Sequence, residues 1–302
     1  MSPLSHVVLG GGTGFIGRGI RYALITEGIS CTCVSRMPSP YSVTWEDIKK
    51  NGLPDDTSAV INVAGQNVLD LKHRWSSGFK QNVRNSRVET TKLLRDATIA
   101  SKAFVFATIS GVGYYKPSEE IEYTEDIVCQ PYDFLSELCH DWEAAAKLPE
   151  GSNIRQATIR SGVVLGRDGG IKNNLYLPFL FGMGGPLGDG KQYMPWIHKT
   201  DLIEMFMFIL QNDDVEGILN GVAPQIVTNN EFTKAFAYAM KKPGAVRVPA
   251  DVLKFLYNEE RAKIILEGQK VSPKRVLELG FKYKFPDINS ACKDVILPPY
   301  SH

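Results

Sequence analysis

The feature that most constrains the fold is a glycine-rich run near the start of the chain, LGGGTGFIGR at residues 9–18. A short apolar stretch at residues 6–9 precedes it, and apolar residues at helical spacing follow it as far as Gly28. The pattern therefore predicts a strand, a tight turn and a helix. Both G-x-G-x-x-G and G-x-x-G-x-x-G fit the turn, and their glycines are Gly11, Gly12, Gly14 and Gly17. Because such a turn brings backbone N–H groups and a helix N-terminus to a phosphate, we predict a dinucleotide-binding site here.

Strands and helices continue to alternate through the first part of the chain. Apolar runs predict further strands at residues 29–35, 59–63, 103–109 and 154–165. Helical spacing predicts long helices at residues 75–101 and 132–147 and a short one at residues 45–50. Repeated strand and helix units form a parallel sheet covered on both faces. The predicted fold class is therefore α/β, a Rossmann doubly wound parallel sheet.

The pattern changes after Gly166, where glycine and proline clusters interrupt the alternation. The elements predicted beyond it are helices at residues 201–211, 229–240 and 251–267 and a strand at residues 218–222. We therefore predict a Rossmann domain at residues 1–165, which binds the nucleotide, and a smaller, mainly helical substrate lobe at residues 166–302. This prediction allows some strands of the second part to pair with strands of the Rossmann sheet.

The composition limits the range of partners. The 302 residues include 34 Lys and Arg against 33 Asp and Glu, a net charge of +1, so no overall field attracts nucleic acid or an anionic membrane. No apolar run reaches the roughly 18 residues of a spanning helix, and the start of the chain lacks a leader pattern. Five scattered cysteines favour a reducing compartment. We expect a cytoplasmic protein with a small-molecule substrate, no nucleic acid, no membrane and no metal.

The end of the second predicted strand distinguishes NAD from NADP. NAD sites place an acidic residue there, which binds the ribose 2′-hydroxyl. This chain has Ser35 and Arg36 instead. A hydroxyl and a guanidinium donate hydrogen bonds to a 2′-phosphate, which a carboxylate would repel. The predicted cofactor is NADP(H), with the small residues Ala64 and Gly65 against its adenosine side.

Four segments, GGTGFIG, NVAG, ATISGVGYY and RSGVVLG, together resemble the extended short-chain dehydrogenase/reductase superfamily in its epimerase/dehydratase branch. The segments WEAAA, PFLFGMGGPLGDGKQYMPWIH and VPADVLKF, with the residues that follow, resemble an atypical epimerase-like subgroup with its own C-terminal segment. The likeness extends from Gly10 to Pro286. It implies a Rossmann domain with a small substrate lobe, NADP binding and an oxidoreductase activity.

The resemblance also implies roles for single residues. Those implied for the pyrophosphate and the 2′-phosphate are Gly11, Thr13, Gly14, Phe15, Ile16, Gly17, Ser35 and Arg36. Those implied for the rest of the cofactor are Ala64, Gly65, Asn82, Arg87, Thr108, Arg160, Ser161 and Val163. Ser110 matches the catalytic hydroxyl at the end of its strand.

The resemblance fails at the usual catalytic pair. The superfamily uses Tyr-x-x-x-Lys, in which the lysine lowers the pKa of the phenol so that it exchanges a proton. In the predicted helix at residues 132–147, Phe134 and Leu138 have this spacing, and neither side chain can donate or accept a proton. Tyr114, which follows the strand of Ser110, is a candidate proton donor. The alternative is a buried aromatic ring satisfied by one hydrogen bond.

Three functions remain open from the sequence. The first is an NADP-dependent oxidoreductase acting on a small carbonyl or alcohol. The second is a non-catalytic NADP(H) sensor. The third is a nucleotide-sugar epimerase or dehydratase, which would need phosphate-binding arginines in the lobe.

Two further expectations concern assembly and one histidine. The long helices at residues 75–101 and 132–147 are the surface through which relatives of this fold dimerise, so a homodimer is a candidate assembly. His198 either borders the substrate or is a loop histidine bonded to Asp201.

Overall fold

The structure is a computed structural model that describes residues 4–40, 42–70 and 73–298. The strands in these ranges are β1 (His6–Gly10), β2 (Ser30–Ser35), β3 (Ser42–Thr44), β4 (Ala59–Asn62), β5 (Val105–Gly111), β6 (Ser118–Tyr123), β7 (Arg155–Ser161), β8 (Val163–Gly166), β9 (Gly169–Gly170), β10 (Trp196–His198), β11 (Gly217–Gly221) and β12 (Gln269–Val271). The helices are α1 (Phe15–Thr26), α2 (Trp45–Asn51), α3 (Ser77–Ile99), α4 (Phe134–Ala146), α5 (Lys172–Leu180), α6 (Lys199–Gln211), α7 (Asn229–Met240), α8 (Ala250–Tyr257), α9 (Glu259–Leu266), α10 (Lys274–Glu278) and α11 (Ile288–Val295). A 3₁₀ turn, Val112–Tyr114, follows β5. None of these helices is both long enough and apolar enough to cross a membrane.

Seven strands form one parallel sheet in the order β11-β7-β5-β4-β1-β2-β3. The chain begins in the middle at β1, moves outwards to β3, and then returns to β4 and continues to β11 on the other side. This is the doubly wound order, and its direction reverses between β1 and β4. The predicted fold class is confirmed. Ligands of such sheets bind beyond the carboxyl ends of the strands at the point of reversal.

Strand residues alternate between two apolar layers, one on each face of the sheet. Val7 and Leu9 of β1 pack in the layer that includes α1 and α6. Val8 packs in the opposite layer, with residues of α2, α3 and α4. Because both faces are buried, the strands are continuous apolar runs, and this is why the sequence identifies them.

The second part of the chain divides between the sheet and a separate lobe. Residues 199–221 return to the Rossmann sheet, since β11 pairs with β7 and α6 packs in the same layer as α1. Val276 of α10 and Phe281 also pack in this layer. Helices α5, α7 and α11 pack around a second core that includes Phe179, Trp196, Phe232 and Phe236. Two small sheets, β10-β8-β9 and β12-β6, border this lobe.

The structure corrects two predicted elements. The strand predicted at residues 154–165 is two strands, because the chain leaves the main sheet at Gly162, where a Cβ would lie 2.6 Å from the Pro195 carbonyl oxygen. The helix predicted at residues 251–267 is two helices. Asn258 separates them with a φ of 66°, a left-handed conformation that no helix continues through.

Candidate functional site

The turn between β1 and α1 depends on glycines. Gly11 has a φ of 78°, and a Cβ there would lie 2.8 Å from the Ala64 backbone nitrogen. A Cβ at Gly17 would lie 2.2 Å from the Gly11 carbonyl oxygen, which already accepts a hydrogen bond from the Gly14 N–H at 2.9 Å. In the described structure no side chain caps α1, and its first turn has no acidic residue. Free N–H groups and the positive end of the helix dipole therefore fit a pyrophosphate.

Three other residues predicted in this loop are oriented away from it or exposed. The Phe15 ring packs against the β8-β9 turn, where a Cβ at Gly169 would lie 2.7 Å from it. Ile16 packs against the core of the sheet. Thr13 is exposed, and its carbonyl accepts a hydrogen bond from Arg18. Phe15 and Ile16 therefore position α1, and their contribution to a phosphate site is their backbone N–H groups.

Ser35 and Arg36 lie at the carboxyl end of β2, next to the glycine turn. The Ser35 hydroxyl is buried and donates to the Met37 carbonyl oxygen at 2.5 Å. Arg36 is exposed and has no hydrogen-bond or ion-pair partner among residues 4–40, 42–70 and 73–298. Its guanidinium is therefore available to an anion at this strand end.

Arg87 of α3 lies over the end of β4. A Cβ at Gly65 would lie 3.0 Å from its Cζ, and the guanidinium is 5.0 Å from the centre of the Trp142 ring. Burial lowers the pKa of Arg87 to about 10, which leaves it charged at neutral pH. Asn82, also predicted at the cofactor, is exposed on α3. The structure brings Arg87, and not the Asn82 side chain, against the predicted adenosine segment.

A buried polar network links the ends of β5, β7 and α4. The Ser110 hydroxyl donates to Glu143 Oε1 at 2.7 Å. Arg160 forms a bidentate pair with the same carboxylate, with both N···O distances at 2.8 Å, and side-chain exposures are 5% for Arg160 and 14% for Glu143. Burial alone would lower the pKa of Arg160, but its hydrogen bonds with Glu143 raise it overall. Sequence reasoning found Ser110 and Arg160 and missed Glu143, which orients both.

The two tyrosines after β5 have different environments. The Tyr115 hydroxyl donates to Asn220 Oδ1 and accepts from Arg160 Nη1, both at 2.9 Å, and burial raises its pKa to about 12. Tyr114 makes no hydrogen bond to a residue that the structure describes. Its ring lies between the Arg160 guanidinium at 3.4 Å and the stacked His140 ring at 4.2 Å. Tyr114 therefore has the free hydroxyl of this pair.

The other predicted residues near this network are internal or at strand junctions. Thr108 is 1% exposed, and its hydroxyl is hydrogen-bonded to Thr158 inside the sheet at 2.9 Å. Ser161 donates to the Gly162 carbonyl oxygen, and Val163 begins β8 opposite Trp196. The Thr108 side chain is thus enclosed, whereas Ser161 and Val163 lie at the ends of their strands.

His198 is not bonded to Asp201, and that expectation is wrong. Its Nδ1 accepts from the Thr200 N–H, and its Nε2 lies 3.2 Å from Asp294. Asp201 instead accepts hydrogen bonds from the N–H groups of Lys284 and Phe285. Because His198 is 1% exposed and burial lowers its pKa to about 4, it is a neutral interior residue.

The comparisons with known proteins agree with this arrangement. The model of the NAD dependent epimerase/dehydratase family matches residues 7–220, and a domain of unknown function, DUF1731, matches residues 248–295. The chain belongs to the NAD dependent epimerase/dehydratase family. Within it, epimerase family protein SDR39U1 of Bos taurus is 44% identical over 296 residues, which are 96% of this chain and 99% of the relative.

Solved structures of the family include close neighbours. The crystal structure of human epimerase family protein SDR39U1 (isoform 2) with NADPH has a TM-score of 0.94 and 42% identity, covering 96% of this chain and 99% of that one. A nucleoside-diphosphate sugar epimerase from Corynebacterium glutamicum has a TM-score of 0.77 and 27% identity, covering 97% of this chain and 58% of that one. The resemblance inferred from the motifs is confirmed.

Membership of this family makes the position of the missing Tyr-x-x-x-Lys pair important. A pair that acts with Ser110 must face the end of β5, and the two α4 residues at four-residue spacing that do so are Leu135 and Cys139, in the turns before Glu143. A Cβ at Gly113 would lie 3.7 Å from each of them. Phe134 and Leu138, the positions predicted from sequence, belong to the apolar cluster with α3, against which Leu135 also packs, but neither is among the atoms nearest to Gly113. The prediction was wrong by one residue, but its conclusion stands because Leu135 has no proton to exchange.

The C-terminal helix α9 contacts the segment that follows β4 and lies near the start of α4. Arg261 of α9 donates to the carbonyl oxygens of Val68, Asp70 and His73, in the segment that follows β4. A cavity of about 340 Å³ lies between α9 and the start of α4, next to the 3₁₀ turn of Tyr114. Its lining residues are Lys116, Pro117, Tyr132, Asp133, Lys263 and Glu267. Sequence reasoning missed Arg261, which makes contact across almost 200 positions of the chain.

Proposed function

We propose that this chain binds NADP(H) and acts as an NADP-dependent oxidoreductase on a small carbonyl or alcohol. The observation that carries the proposal is the combination of the glycine turn, which a Cβ would fill, with an unpaired Arg36 at the end of β2. A 2′-phosphate would give Arg36 the charge-assisted partner that it lacks. The NADPH in the human relative's crystal structure supports the same choice.

The chemistry divides between the cofactor and the chain. NADPH would supply the hydride for reduction of a carbonyl, or NADP⁺ would accept it from an alcohol, and the protein would supply binding, orientation and the proton transfer. Gly11, Gly14 and Gly17 would bind the pyrophosphate. Ser110, whose proton is donated to Glu143, would orient an alcohol substrate by accepting a hydrogen bond from its hydroxyl. Tyr114 donates the proton because its hydroxyl is unbonded.

The lobe offers little to a nucleotide sugar. The arginines that follow residue 166 are Arg167, Arg247, Arg261 and Arg275. Arg167 is held by Asp294, Arg261 by the backbone after β4, and Arg275 by Asp126 and the Ile218 carbonyl oxygen. Three of the four guanidiniums are thus already hydrogen-bonded to carboxylates or backbone carbonyls of the protein itself. This supports a substrate without a diphosphate, and it makes the nucleotide-sugar alternative the weaker one.

The proposal is tested in two steps. Calorimetric titration with NADPH, NADP⁺, NADH and NAD⁺ in one buffer is expected to show binding of the phosphorylated pair in preference to the other. A panel of small carbonyl compounds is then screened for loss of the reduced nicotinamide absorbance. Absence of binding by all four nucleotides would overturn the proposal.

Tyr114→Phe tests the proton donor. We expect at least about a hundredfold lower kcat with an unchanged NADPH Kd, because general acid catalysis contributes about 10²–10⁴-fold and the ring contacts remain. Tyr238→Phe, at a tyrosine that is 72% exposed on α7, is the matched control and should keep full activity. Full activity in the Tyr114 variant would assign the proton to another group.

A sensor that binds NADP(H) without turnover is the second candidate. It is favoured by a single observation, the replacement of both proton-transfer positions on α4 by Leu135 and Cys139. Burial raises the pKa of the Cys139 thiol to about 12, so it stays protonated and uncharged at neutral pH. Tight NADPH binding with no turnover across the whole panel would select this candidate.

A further inference from the structure

One histidine of helix α4 has both ring nitrogens beside carbonyl oxygens. His140 Nδ1 lies 2.7 Å from the Ser136 carbonyl oxygen, one turn earlier on α4, and Nε2 lies 2.8 Å from the Cys129 carbonyl oxygen, which precedes the helix. A carbonyl oxygen only accepts hydrogen bonds, so each nitrogen must carry a proton for both bonds to form. A neutral ring has a single N–H and would hold a nitrogen lone pair against an oxygen lone pair. The geometry therefore fits an imidazolium.

The His140 ring lies directly against the candidate proton donor. It stacks on the Tyr114 ring with 4.2 Å between centroids and 19° between planes. The Arg160 guanidinium lies 3.4 Å from the centre of the same ring. Two groups this close to one ring centre must occupy opposite faces, because they would overlap on a single face. Tyr114 is thus enclosed between Arg160 and His140.

Few other charges surround the Tyr114 ring. Arg160 is neutralised by its bidentate contact with Glu143, whereas His140 has no ion pair with an Asp or Glu in the part of the chain that the structure describes. The other titratable residues of the apolar cluster around the ring are Tyr115, Tyr123, Cys129 and Cys139. Burial raises the pKa of Tyr115 and of Cys139 to about 12, and it raises the pKa of Tyr123 as well. The unpaired positive charge beside the ring is therefore that of His140.

A positive charge at this place helps proton transfer. When Tyr114 gives its proton to the carbonyl oxygen of a substrate, a phenolate remains until a proton from solvent replaces it. A cation over the ring face is attracted to the π-system, and the attraction increases when the ring gains the negative charge of the phenolate. The lysine of a Tyr-x-x-x-Lys pair has the same electrostatic effect.

We propose that protonated His140 is a positioning residue for Tyr114, which holds the ring against Arg160 and supplies the positive charge that the missing lysine would give. The inference rests on the proposed role of Tyr114 as proton donor. His140 follows Cys139, the residue at the place of the lysine, so the Tyr-x-x-x-Lys spacing does not reveal it.

The charge of His140 is measured first, by NMR and without any substrate. Full-length protein is labelled with ¹⁵N in the rings of its five histidines and recorded at neutral pH. The signals of His140 are those that disappear in His140→Gln or in His140→Arg. We expect two protonated ring nitrogens with similar chemical shifts. One protonated and one bare nitrogen would overturn the inference.

The effect on Tyr114 is measured as the pH profile of carbonyl reduction. We expect His140→Gln to lower kcat at neutral pH about threefold to thirtyfold, the usual range of a cation–π interaction, with an unchanged NADPH Kd. In the unaltered protein this advantage should disappear as the pH rises and His140 loses its proton, so the two profiles should converge at alkaline pH. His140→Arg keeps a planar cation that stacks on rings, and it should recover kcat and hold it to higher pH.

A second histidine provides the matched control. His73 also stacks on an aromatic ring, that of Phe79, but it is exposed and belongs to another part of the fold. His73→Gln should leave the profile of carbonyl reduction unchanged. The melting temperature of each variant is measured beside its kinetics, and His140→Arg serves if His140→Gln does not fold.

The outcomes are distinct. Equal kcat in His140→Gln and the unaltered protein, or a loss in equal proportion at every pH, would overturn the inference, since neither depends on the charge of the ring. Absence of turnover in the unaltered protein would instead overturn the proposed function, whereas the nitrogen shifts would still decide the charge of His140.

Discussion

The shape of the phosphate-binding turn depends on the absence of a side chain at one residue, Gly17. Gly17 lies inside α1, yet a Cβ there would be 2.2 Å from the Gly11 carbonyl oxygen and 2.7 Å from the Gly12 Cα. Both contacts are with backbone, which cannot move aside as a flexible side chain does. The helix can start this close to β1 only because residue 17 has no side chain.

Gly17→Ala should therefore destabilise the fold by about 1–3 kcal/mol, the usual cost of overpacking, and should weaken NADPH binding. Gly78→Ala is the control, because Gly78 is also helical and has no neighbour closer than 4.0 Å to a built Cβ. It should change stability by no more than about 1 kcal/mol, and in the stabilising direction. Urea denaturation of both variants measures the difference, and similar effects would contradict the steric argument.

Arg36→Ala should raise the Kd for NADPH about tenfold to a hundredfold and leave the Kd for NADH unchanged. The reason is that only NADPH has the phosphate that this exposed guanidinium would bind. Arg247→Ala, at another exposed arginine, is expected to have no effect on either nucleotide. An equal loss for both nucleotides would show that Arg36 does not contact the 2′-phosphate.

At the scale of elements, α9 fixes the segment that follows β4. Arg261 is 3% exposed, and its guanidinium makes four hydrogen bonds to three backbone carbonyl oxygens of that segment. It also lies 5.1 Å from the Trp75 ring. The same segment begins with Ala64 and Gly65 of the candidate cofactor site, so α9 acts on the site without lining the phosphate turn.

Arg261→Ala should increase amide hydrogen exchange at residues 66–70 by at least about tenfold, because hydrogen bonds to a charged group that hold this backbone are lost. The β1 and β4 amides should exchange as before. Lys254→Ala, an exposed lysine on the adjoining α8, is the control. Unchanged exchange at residues 66–70 would mean that α9 merely covers the segment.

The sequence predicted the elements that repeat a simple pattern, and it failed where tertiary contacts override one. Strands β1, β4 and β5 are buried on both faces and were found as apolar runs. Helix α5 was not predicted, because it contains Pro178. A proline favours a loop when only the spacing of apolar residues is considered. The break at Asn258 has neither glycine nor proline to signal it. In the site, strand-end residues such as Ser110 were predictable, whereas Glu143 is recognised only when the folded chain brings it to Ser110 across 33 positions.

At the scale of the whole molecule, the C-terminal segment is joined to the body by buried polar contacts. Arg167 pairs with Asp294 of α11, and His198 lies 3.2 Å from the same carboxylate. Hydrogen bonds from Arg167 and the charges around Asp294 lower its pKa, although burial alone would raise it.

The predicted homodimer remains a prediction, and α3 and α4, its predicted surface, pack against each other in the monomer.

Stability should fall as the pH decreases from about 6.5 to about 4. The pKa of His198 is near 6.5 in the unfolded chain and about 4 in the folded one, so in this window the unfolded state binds the extra proton. A shift of this size corresponds to about 3 kcal/mol. The lowered pKa of Asp294 acts in the same direction at the acidic end.

His198→Gln should therefore flatten the pH dependence of unfolding between these limits, measured by chemical denaturation at a series of pH values. His73→Gln is the control, because the side chain of His73 is 58% exposed. An unchanged slope in His198→Gln together with a reduced slope in His73→Gln would contradict the prediction, because it would show that His73 causes the pH dependence.

The attachment of α9 to the segment after β4 has a thermodynamic consequence. Binding of NADP(H) and docking of α9 are coupled if both order Ala64 and Gly65. Because such coupling is reciprocal, bound NADP(H) strengthens the docking of α9 by the same free energy by which docked α9 strengthens NADP(H) binding. The domain of unknown function at residues 248–295 would then report on cofactor occupancy although the described contacts of α9 are with the chain alone. Resistance of the last fifty residues to a protease would rise with NADPH concentration along the same curve as binding.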